Sequence, residues 1–316
     1  MLIEILAYWF ELNSARVKWK DCLSNIILLS SGVKQEGILS PLFFSVFIDI
    51  ILTELEKSKL GCFVNGKCLN SILYADDLVL ISASVSDLQL LFKIAHKVLD
   101  GLDLKINFNK CACLRIGKCF AVNAGRIVVN EKEIAWVKET SYLGISVLAG
   151  CRFACNWHST KRKFFTTVNT IYSCLGSNPE LKVILSLFQS SCIPILTYGI
   201  GALKLTQSEI QSFSFSFNNL FHKLFKTSNK KILEQCQFFC GMFNFEIYYD
   251  FLRFSFLNPI FNSDDKNVPD SLLVDDTNDF NDILKKYNLK QSDSSNVIVK
   301  LKMLSYMEQL LVANDP

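Results

Sequence analysis

The sequence predicts an α+β protein, and three observations carry that reading. Short apolar runs of strand length, punctuated by turn residues, fill residues 62–81 and 104–148. Between them Leu88, Leu91, Phe92, Ala95 and Leu99 recur at helical spacing. From Lys161 to about Pro259 the texture changes to long helical patterns rich in phenylalanine. With 316 residues, 50% apolar and 20% charged, the chain can bury one large core or two ordinary ones. It is too apolar to be disordered overall.

Taken in order, Glu4 to Trp19 reads as mostly helical, with a loop from Asp21 to Asn25 and a short strand at Ile26 to Leu29. Gly32 and Gly37 punctuate the next stretch. Ser40-Pro41 then opens a helix, Ser as N-cap and Pro at the first position. Its body, Leu42 to Glu56, is apolar enough to predict burial. Cys62 to Asn70 reads as a hairpin around Asn65-Gly66. Ile72-Leu73-Tyr74 and Leu78-Val79-Leu80-Ile81 are two further strands flanking Ala75-Asp76-Asp77. Asp87 to Leu99 is a helix that Gly101 ends. Residues 262–282 carry seven Asp and Pro269, which reads as a solvated linker, and Val297 to Val312 as a short amphipathic helix.

The net charge of +3 does not announce a nucleic-acid binder, but its distribution is uneven. Residues 101–163 hold 11 Lys/Arg against 4 Asp/Glu, and residues 263–316 hold 6 against 10. The 12 cysteines read as reduced and partly buried, because the chain is long and Glu4 interrupts an apolar start that no basic residue precedes. Val183 to Leu203 is free of charge over the length of a membrane span, yet Gln189, Ser190, Ser191, Pro194, Gly199 and Gly201 favour a buried helix–turn–helix.

The sharpest chemical feature is Tyr74-Ala75-Asp76-Asp77. Two adjacent carboxylates between apolar strands repel each other in a low local dielectric. A hard divalent cation such as Mg²⁺, which takes one or two carboxylates together with phosphate oxygens, relieves that cost. These four residues alone leave open a plain Asp-Asp turn in solvent. Cys151-x₃-Cys155-x₂-His158 has part of a zinc spacing, without an evident fourth ligand. His96 and His222 read as structural or surface residues. The phenylalanines from Phe213 to Phe256 read as core rather than as a base-stacking platform.

The Asp-Asp turn has companions. Upstream lies Ser31-Gly32-Val33-Lys34-Gln35-Glu36-Gly37-Ile38-Leu39-Ser40-Pro41-Leu42-Phe43, downstream Gly101-Leu102-x-Leu104-Lys105-x-Asn107-x-x-Lys110, and further on Ser141-Tyr142-Leu143-Gly144. In this order and spacing the blocks resemble the reverse transcriptase of non-LTR (LINE-type, jockey-like) retrotransposons. Cys192-Ile193-Pro194-Ile195-Leu196-Thr197-Tyr198-Gly199 is similar to the region following that family's palm, so the resemblance covers roughly residues 8–225.

The resemblance implies a partial reverse-transcriptase palm, an antiparallel sheet with packed helices, followed by a mostly helical thumb-like region. The palm with its Tyr-Ala-Asp-Asp hairpin would be residues 1–117. Palm-to-thumb strands would occupy 118–150, a helical thumb or connection 151–260, and an acidic linker with a short helix 261–316. It also implies RNA-directed DNA synthesis with Mg²⁺, in which a primer 3′-hydroxyl attacks the α-phosphate of a deoxynucleotide between two metal ions about 3.5–4 Å apart. Asp76 would be the direct metal ligand, with Asp77 beside it. Gln35, Tyr74, Ala75 and Asn107 would touch the nucleotide or template, and Lys110 the leaving pyrophosphate. Tyr142, Leu143 and Gly144 would position the primer. The implied partners are an RNA template, a DNA primer or target DNA and deoxynucleoside triphosphates, with no membrane, in the cytoplasm and nucleus. The basic run ending in Lys161-Arg162-Lys163 suits a phosphate backbone.

Two departures qualify this. The family's block aromatic-x-Asp-x-x-x-Ala-Phe-Asp, which supplies another metal ligand from a central strand, should precede the segment matching Tyr8-Trp9-Phe10 by some twenty residues. The chain starts at Met1 without it. The expectation is therefore a truncated, inactive copy with an unpaired sheet edge. A non-catalytic nucleic-acid-binding or protein-interaction remnant is the alternative. The second departure is Glu36, where the family usually has Gly. Glu adds bulk and negative charge where a backbone should approach phosphates. Glu36→Gly is expected to raise kcat/KM in a completed enzyme, and an unchanged kcat/KM in a side-by-side kinetic comparison would dismiss that role for residue 36.

Overall fold

A computed structural model of the chain describes residues 2–11, 13–29, 32, 37–64, 66–122, 124–175, 180–262, 274–293 and 295–313. Helix α1 (Leu2–Glu11) leads into four two-residue strands, β1 (Ser14–Ala15), β2 (Lys18–Trp19), β3 (Cys22–Leu23) and β4 (Ile27–Leu28). Helices α2 (Ser40–Ile48) and α3 (Ile50–Lys57) follow, then strands β5 (Cys62–Val64), β6 (Lys67–Leu69), β7 (Ser71–Tyr74) and β8 (Asp77–Leu80), and helix α4 (Val85–Gly101). Next come β9 (Cys113–Leu114), β10 (Ile127–Val129), β11 (Lys132–Ile134), β12 (Trp136–Val137), β13 (Glu139–Tyr142), β14 (Ile145–Leu148) and β15 (Ala154–Asn156). The rest is helical: α5 (His158–Cys174), α6 (Leu181–Leu187), α7 (Ile193–Thr197), α8 (Gln207–Phe225), α9 (Lys230–Phe239), α10 (Phe245–Asn262), α11 (Val274–Lys286) and α12 (Asn296–Ala313). The α+β class read from the sequence is what forms.

The chain divides into two units. The first comprises residues 1–111 and 124–134, the second residues 112–123 and 135–316. In the first, Ile48, Ile51 and Leu55 on α2–α3 pack against Leu91 and Ala95 of α4, and Leu73, Leu78 and Leu80 of the β7–β8 hairpin join them. The alternation of a strand supplies that inward face, with Leu73 directly opposite Leu78. Ser84 caps α4 by accepting from the Asp87 N–H at 3.0 Å. Gln89 of the same helix both donates to and accepts from Val128, at 2.8 and 2.7 Å, and so holds the β10–β11 hairpin by its edge.

The second unit is built on phenylalanine. Phe164, Phe188, Phe213, Phe217, Phe221 and Phe245 are essentially inaccessible and form one core with Leu196 and Ile200. Each such side chain contributes roughly 1.5–3 kcal/mol by leaving water. Phe213 lies in stacked contact with Phe245, ring centroids 5.6 Å apart. Polar ties set α5 against α8: Trp157 Nε1 donates to Glu209 at 3.1 Å, Lys161 Nζ to Ser212 at 2.6 Å and Lys223 Nζ to Asn169 at 2.9 Å. Glu209 also closes a capping box with Thr206 at the start of α8. Burial pushes its carboxyl up, but the bonds from Thr206 and Trp157, with Lys161 nearby, outweigh burial and hold it below the ordinary carboxylate range.

Several elements differ from expectation. The helix predicted to run to Trp19 ends at Glu11 among the described residues, because Asn13 and Ser14 compete with helical bonding and the chain reverses through Lys20 at φ +53°. Ser40 is the first helical residue rather than the cap, a place taken by Leu39. Leu42 to Glu56 splits at Asp49 and buries only the stripe Ile48, Ile51 and Leu55, leaving Leu42, Val46, Phe47 and Ile50 exposed. Asn65, in the first hairpin turn, lies outside the described residues. Val183 to Leu203 buries Ile184, Phe188, Cys192, Ile193, Leu196 and Ile200 and leaves Val183 and Tyr198 exposed; α6 runs into α7 through a π turn at Phe188–Cys192, and the chain turns at Tyr198–Gly199, before a 3₁₀ turn at Ile200–Ala202. No described helix is long and apolar enough to cross a membrane. Helix α12 buries Val299, Met303 and Met307 while exposing Val297 and Leu301, so it is apolar on more than one side.

The largest correction concerns the acidic stretch. Residues 263–273 are outside the described residues, but 274–282 belong to α11. Asp276 and Asp279 reach Arg253 of α10, which is 1% exposed. Arg253 Nη2 bonds Asp276, Nε bonds Asp279 at 2.8 Å, and Nη1 donates to the Gly201 carbonyl at 3.1 Å. Burial works against that charge, and the two carboxylates outweigh burial and raise the guanidinium pKa. Arg253→Ala is expected to destabilise the second unit by about 3 kcal/mol, since it leaves two carboxylates without their cation. Urea unfolding followed by tryptophan fluorescence measures this.

Candidate functional site

The Asp-Asp turn forms as a two-residue hairpin. Tyr74 pairs with Asp77, so Ala75 and Asp76 make the reversal, and Ala75 takes φ +52°. An alanine in the left-handed region costs roughly 1–2 kcal/mol, which the flanking strands must offset. At the other end of the hairpin stands Asn70, 3% exposed, a residue that sequence reasoning passes over. Its Nδ2 donates to the Leu55 carbonyl at the end of α3 at 2.8 Å. Its Oδ1 accepts from Ser71 Oγ at 2.9 Å, and its carbonyl accepts from the Ile81 N–H at 2.7 Å. One buried amide thus fixes where the hairpin leaves the helices, and so where its tip stands. A polar residue between two predicted strands was the available signal.

At that tip Ala75, Asp76 and Asp77 are exposed, as are Tyr74 and Ile72. The low local dielectric expected from the apolar flanks is therefore not what these carboxylates meet. Their chemistry still suits a hard cation, since Mg²⁺ takes only one or two carboxylates and completes its shell with water and phosphate oxygens. Among the described residues, no group of three or more His, Cys, Asp or Glu could hold a metal ion unaided. That includes the Cys151, Cys155 and His158 spacing. The cysteines among the described residues are free thiols, and burial pushes that of Cys192 up to about 11.

The other predicted residues fall in different places. Gln35 and Glu36 lie outside the described residues. Asn107 and Lys110 are exposed in the first unit, but not on a strand: residues 108–110 form a 3₁₀ turn in which the Lys110 N–H bonds the Asn107 carbonyl at 3.0 Å. Phe108 anchors that turn edge-on against Phe92, with Lys132 Nζ 4.8 Å above its ring. Tyr142, Leu143 and Gly144 lie in the second unit at the β13–β14 reversal. There Glu139 accepts from Ser146 and, at 2.9 Å, from Asn156, tying together the three strands β13–β14–β15. Of the basic run's last three residues, Lys161 is bound to Ser212 and lies over Phe213. Arg162 and Lys163, with His158, Ser159, Thr166 and Asn156, line an open cleft of about 820 Å³.

Residues 4–147 match the family model for reverse transcriptase (RNA-dependent DNA polymerase). The chain is 35% identical over 133 residues to the retrovirus-related Pol polyprotein from a type-2 retrotransposable element of Drosophila melanogaster. That alignment covers 40% of this chain and 12% of the relative. Residues 4–147 thus belong to a reverse transcriptase domain of the non-LTR retrotransposon kind. The match ends at residue 147, so the similarity read in Cys192 to Gly199 lies beyond it.

Asn70→Ala is expected to cost the first unit about 1 kcal/mol, because it removes the bond that ties the base of the hairpin to the Leu55 carbonyl, while that carbonyl keeps the Ser58 hydroxyl at 2.6 Å. Chemical denaturation of the variant beside the parent measures this, and faster amide exchange in residues 71–80 would show that the loss falls on the hairpin.

Proposed function

We propose that this chain is a portion of an RNA-directed DNA polymerase of a non-LTR retrotransposon, acting on an RNA template, a DNA primer or target DNA and deoxynucleoside triphosphates, in the cytoplasm and nucleus. The observation that carries the reading is the exposed Asp76–Asp77 tip of a two-residue hairpin inside the segment that matches the family. Asp76 and Asp77 would hold Mg²⁺ together with nucleotide phosphates. When bound there, the ions supply positive charge at the attacking and leaving oxygens of the transfer, as two-metal sites do. Tyr74 and Ala75 beside them, Gln35, and Asn107 with Lys110 on their 3₁₀ turn are the nucleotide-side and template-side contacts of this reading. Tyr142, Leu143 and Gly144 carry the primer end. Arg162, Lys163 and the hydroxyls around their cleft meet the phosphodiester backbone, so binding there reads charge and shape rather than bases.

The described residues offer the carboxylate pair but no third ligand clustered with it. These 316 residues by themselves are therefore proposed to bind primer–template and to leave it unextended, the non-catalytic reading applied to the isolated chain. The test uses a fluorescent RNA–DNA primer–template. Binding is expected to weaken steeply as salt rises, with no extension when Mg²⁺ and deoxynucleotides are supplied. Addition of Mg²⁺ and the next complementary deoxynucleotide tightens binding in the parent, and not in Asp76→Ala or Asp77→Ala. Absence of binding at low salt overturns the polymerase reading, and extension of the primer overturns the inactivity of the isolated chain.

A further inference from the structure

The reversal between β13 and β14 consists of Leu143 and Gly144 alone, both with positive φ, +47° and +80°. Such mirror-image turns match the twist of the strands they join. Leucine has no intrinsic preference for that conformation and costs roughly 1–2 kcal/mol there, so something outside the hairpin should favour the observed geometry. Tyr198, fifty-five positions along the chain, is that element. Its hydroxyl donates to the Leu143 carbonyl at 3.0 Å. Its ring lies beside Gly144, where a side-chain carbon would sit 3.5 Å from Cε1. The next residue, Gly199, has φ +74°, and a carbon added there would fall 2.5 Å from Ile145 Cδ1. Residues 143–145 and 198–199 therefore meet at three points.

The two sides of this contact differ in rigidity. Tyr198 follows directly on α7, whose Ile193 and Leu196 are buried in the phenylalanine core. The turn is the tip of a hairpin. Tyr198 is 56% exposed and Leu143 37%, so both are open to a bound strand, and the bond between them lies where water competes for it. It contributes little to folding and much to which way the Leu143 carbonyl faces.

We infer that Tyr198 is a positioning residue for the primer end: through its hydroxyl it sets the orientation of the Tyr142–Gly144 turn on which the primer terminus rests. The inference builds on the proposed role of that turn and assigns Tyr198 no chemical step. The test uses the full chain and an RNA–DNA primer–template whose primer ends in a photoreactive thiothymidine, with the crosslinked peptide mapped after near-ultraviolet irradiation. The parent is expected to crosslink within residues 142–145. Tyr198→Phe keeps the ring and loses the bond, and should lower that yield about fivefold while the Kd for primer–template stays within about twofold. Its melting temperature should match the parent's, which separates positioning from a merely structural role. Tyr198→Phe crosslinking at the turn as efficiently as the parent overturns the inference and leaves the turn's proposed role standing. A parent crosslink that maps elsewhere overturns the turn's role and the inference with it, and failure to bind primer–template is a failure of the polymerase reading itself.

Discussion

Burial of the phenylalanines in the second unit is the constraint on which its functional geometry depends. Phe164 on α5, Phe188 between α6 and α7, Phe213, Phe217 and Phe221 on α8 and Phe245 on α10 are essentially inaccessible and occupy one core. Interiors of this density resist displacement. Every polar tie described in that part of the unit begins from a helix the core holds. Trp157 reaches Glu209 because α5 and α8 are already in contact, and Tyr198 reaches Leu143 because α7 ends in a fixed place. Packing supplies the energy, and the hydrogen bonds then choose among arrangements that packing alone would leave nearly equal.

The first unit solves the same problem with less material. Its core is a stripe of Ile48, Ile51 and Leu55 against Leu91 and Ala95, and the β7–β8 hairpin contributes three leucines to it. The carboxylate tip is held from one side by those leucines and from its base by Asn70. Ile72 and Tyr74 on the hairpin, and Leu42, Val46 and Phe47 on α2, stay exposed. The unit thus places its candidate ligands through a backbone anchor rather than by enclosing them. Carboxylates in solvent remain charged and available, at the expense of the strengthening that a dry site gives to every charge within it.

What was legible in the sequence was local. The Asp-Asp reversal between two strands, the helix opened near Ser40-Pro41 and the helix from Asp87 to Leu99 each follow from residues within a few positions of one another. The phenylalanine core was legible in part: Phe213, Phe217, Phe221 and Phe245 are buried as expected, whereas Phe215, Phe239 and Phe256 of the same stretch are exposed. What escaped depends on partners far away in the chain. Asp276 and Asp279 look like part of a solvated linker until Arg253, more than twenty positions earlier, is placed among them. Lys161 looks like one of three phosphate contacts until Ser212 claims it. Asn70 and Tyr198 each act on a carbonyl distant in sequence, and neither belongs to a periodic pattern that would have marked it. Of the candidate site, then, the residue types and their order could be read, whereas the groups that aim them could not.

The π turn at Phe188–Cys192 has a consequence for how this chain can change over time. A π turn inside an α-helix holds one residue more than the regular winding needs. That surplus is taken up within the turn, so α7 keeps the winding that faces Ile193 and Leu196 into the core. Loss of one residue there would straighten the helix, provided that Phe188 and Cys192, both inaccessible, stayed apolar. The same loss within α7, where no surplus exists, would turn Tyr198 about 100° around the helix axis and away from the hairpin it meets. Tolerance to a change of length in this stretch is thus confined to a single turn.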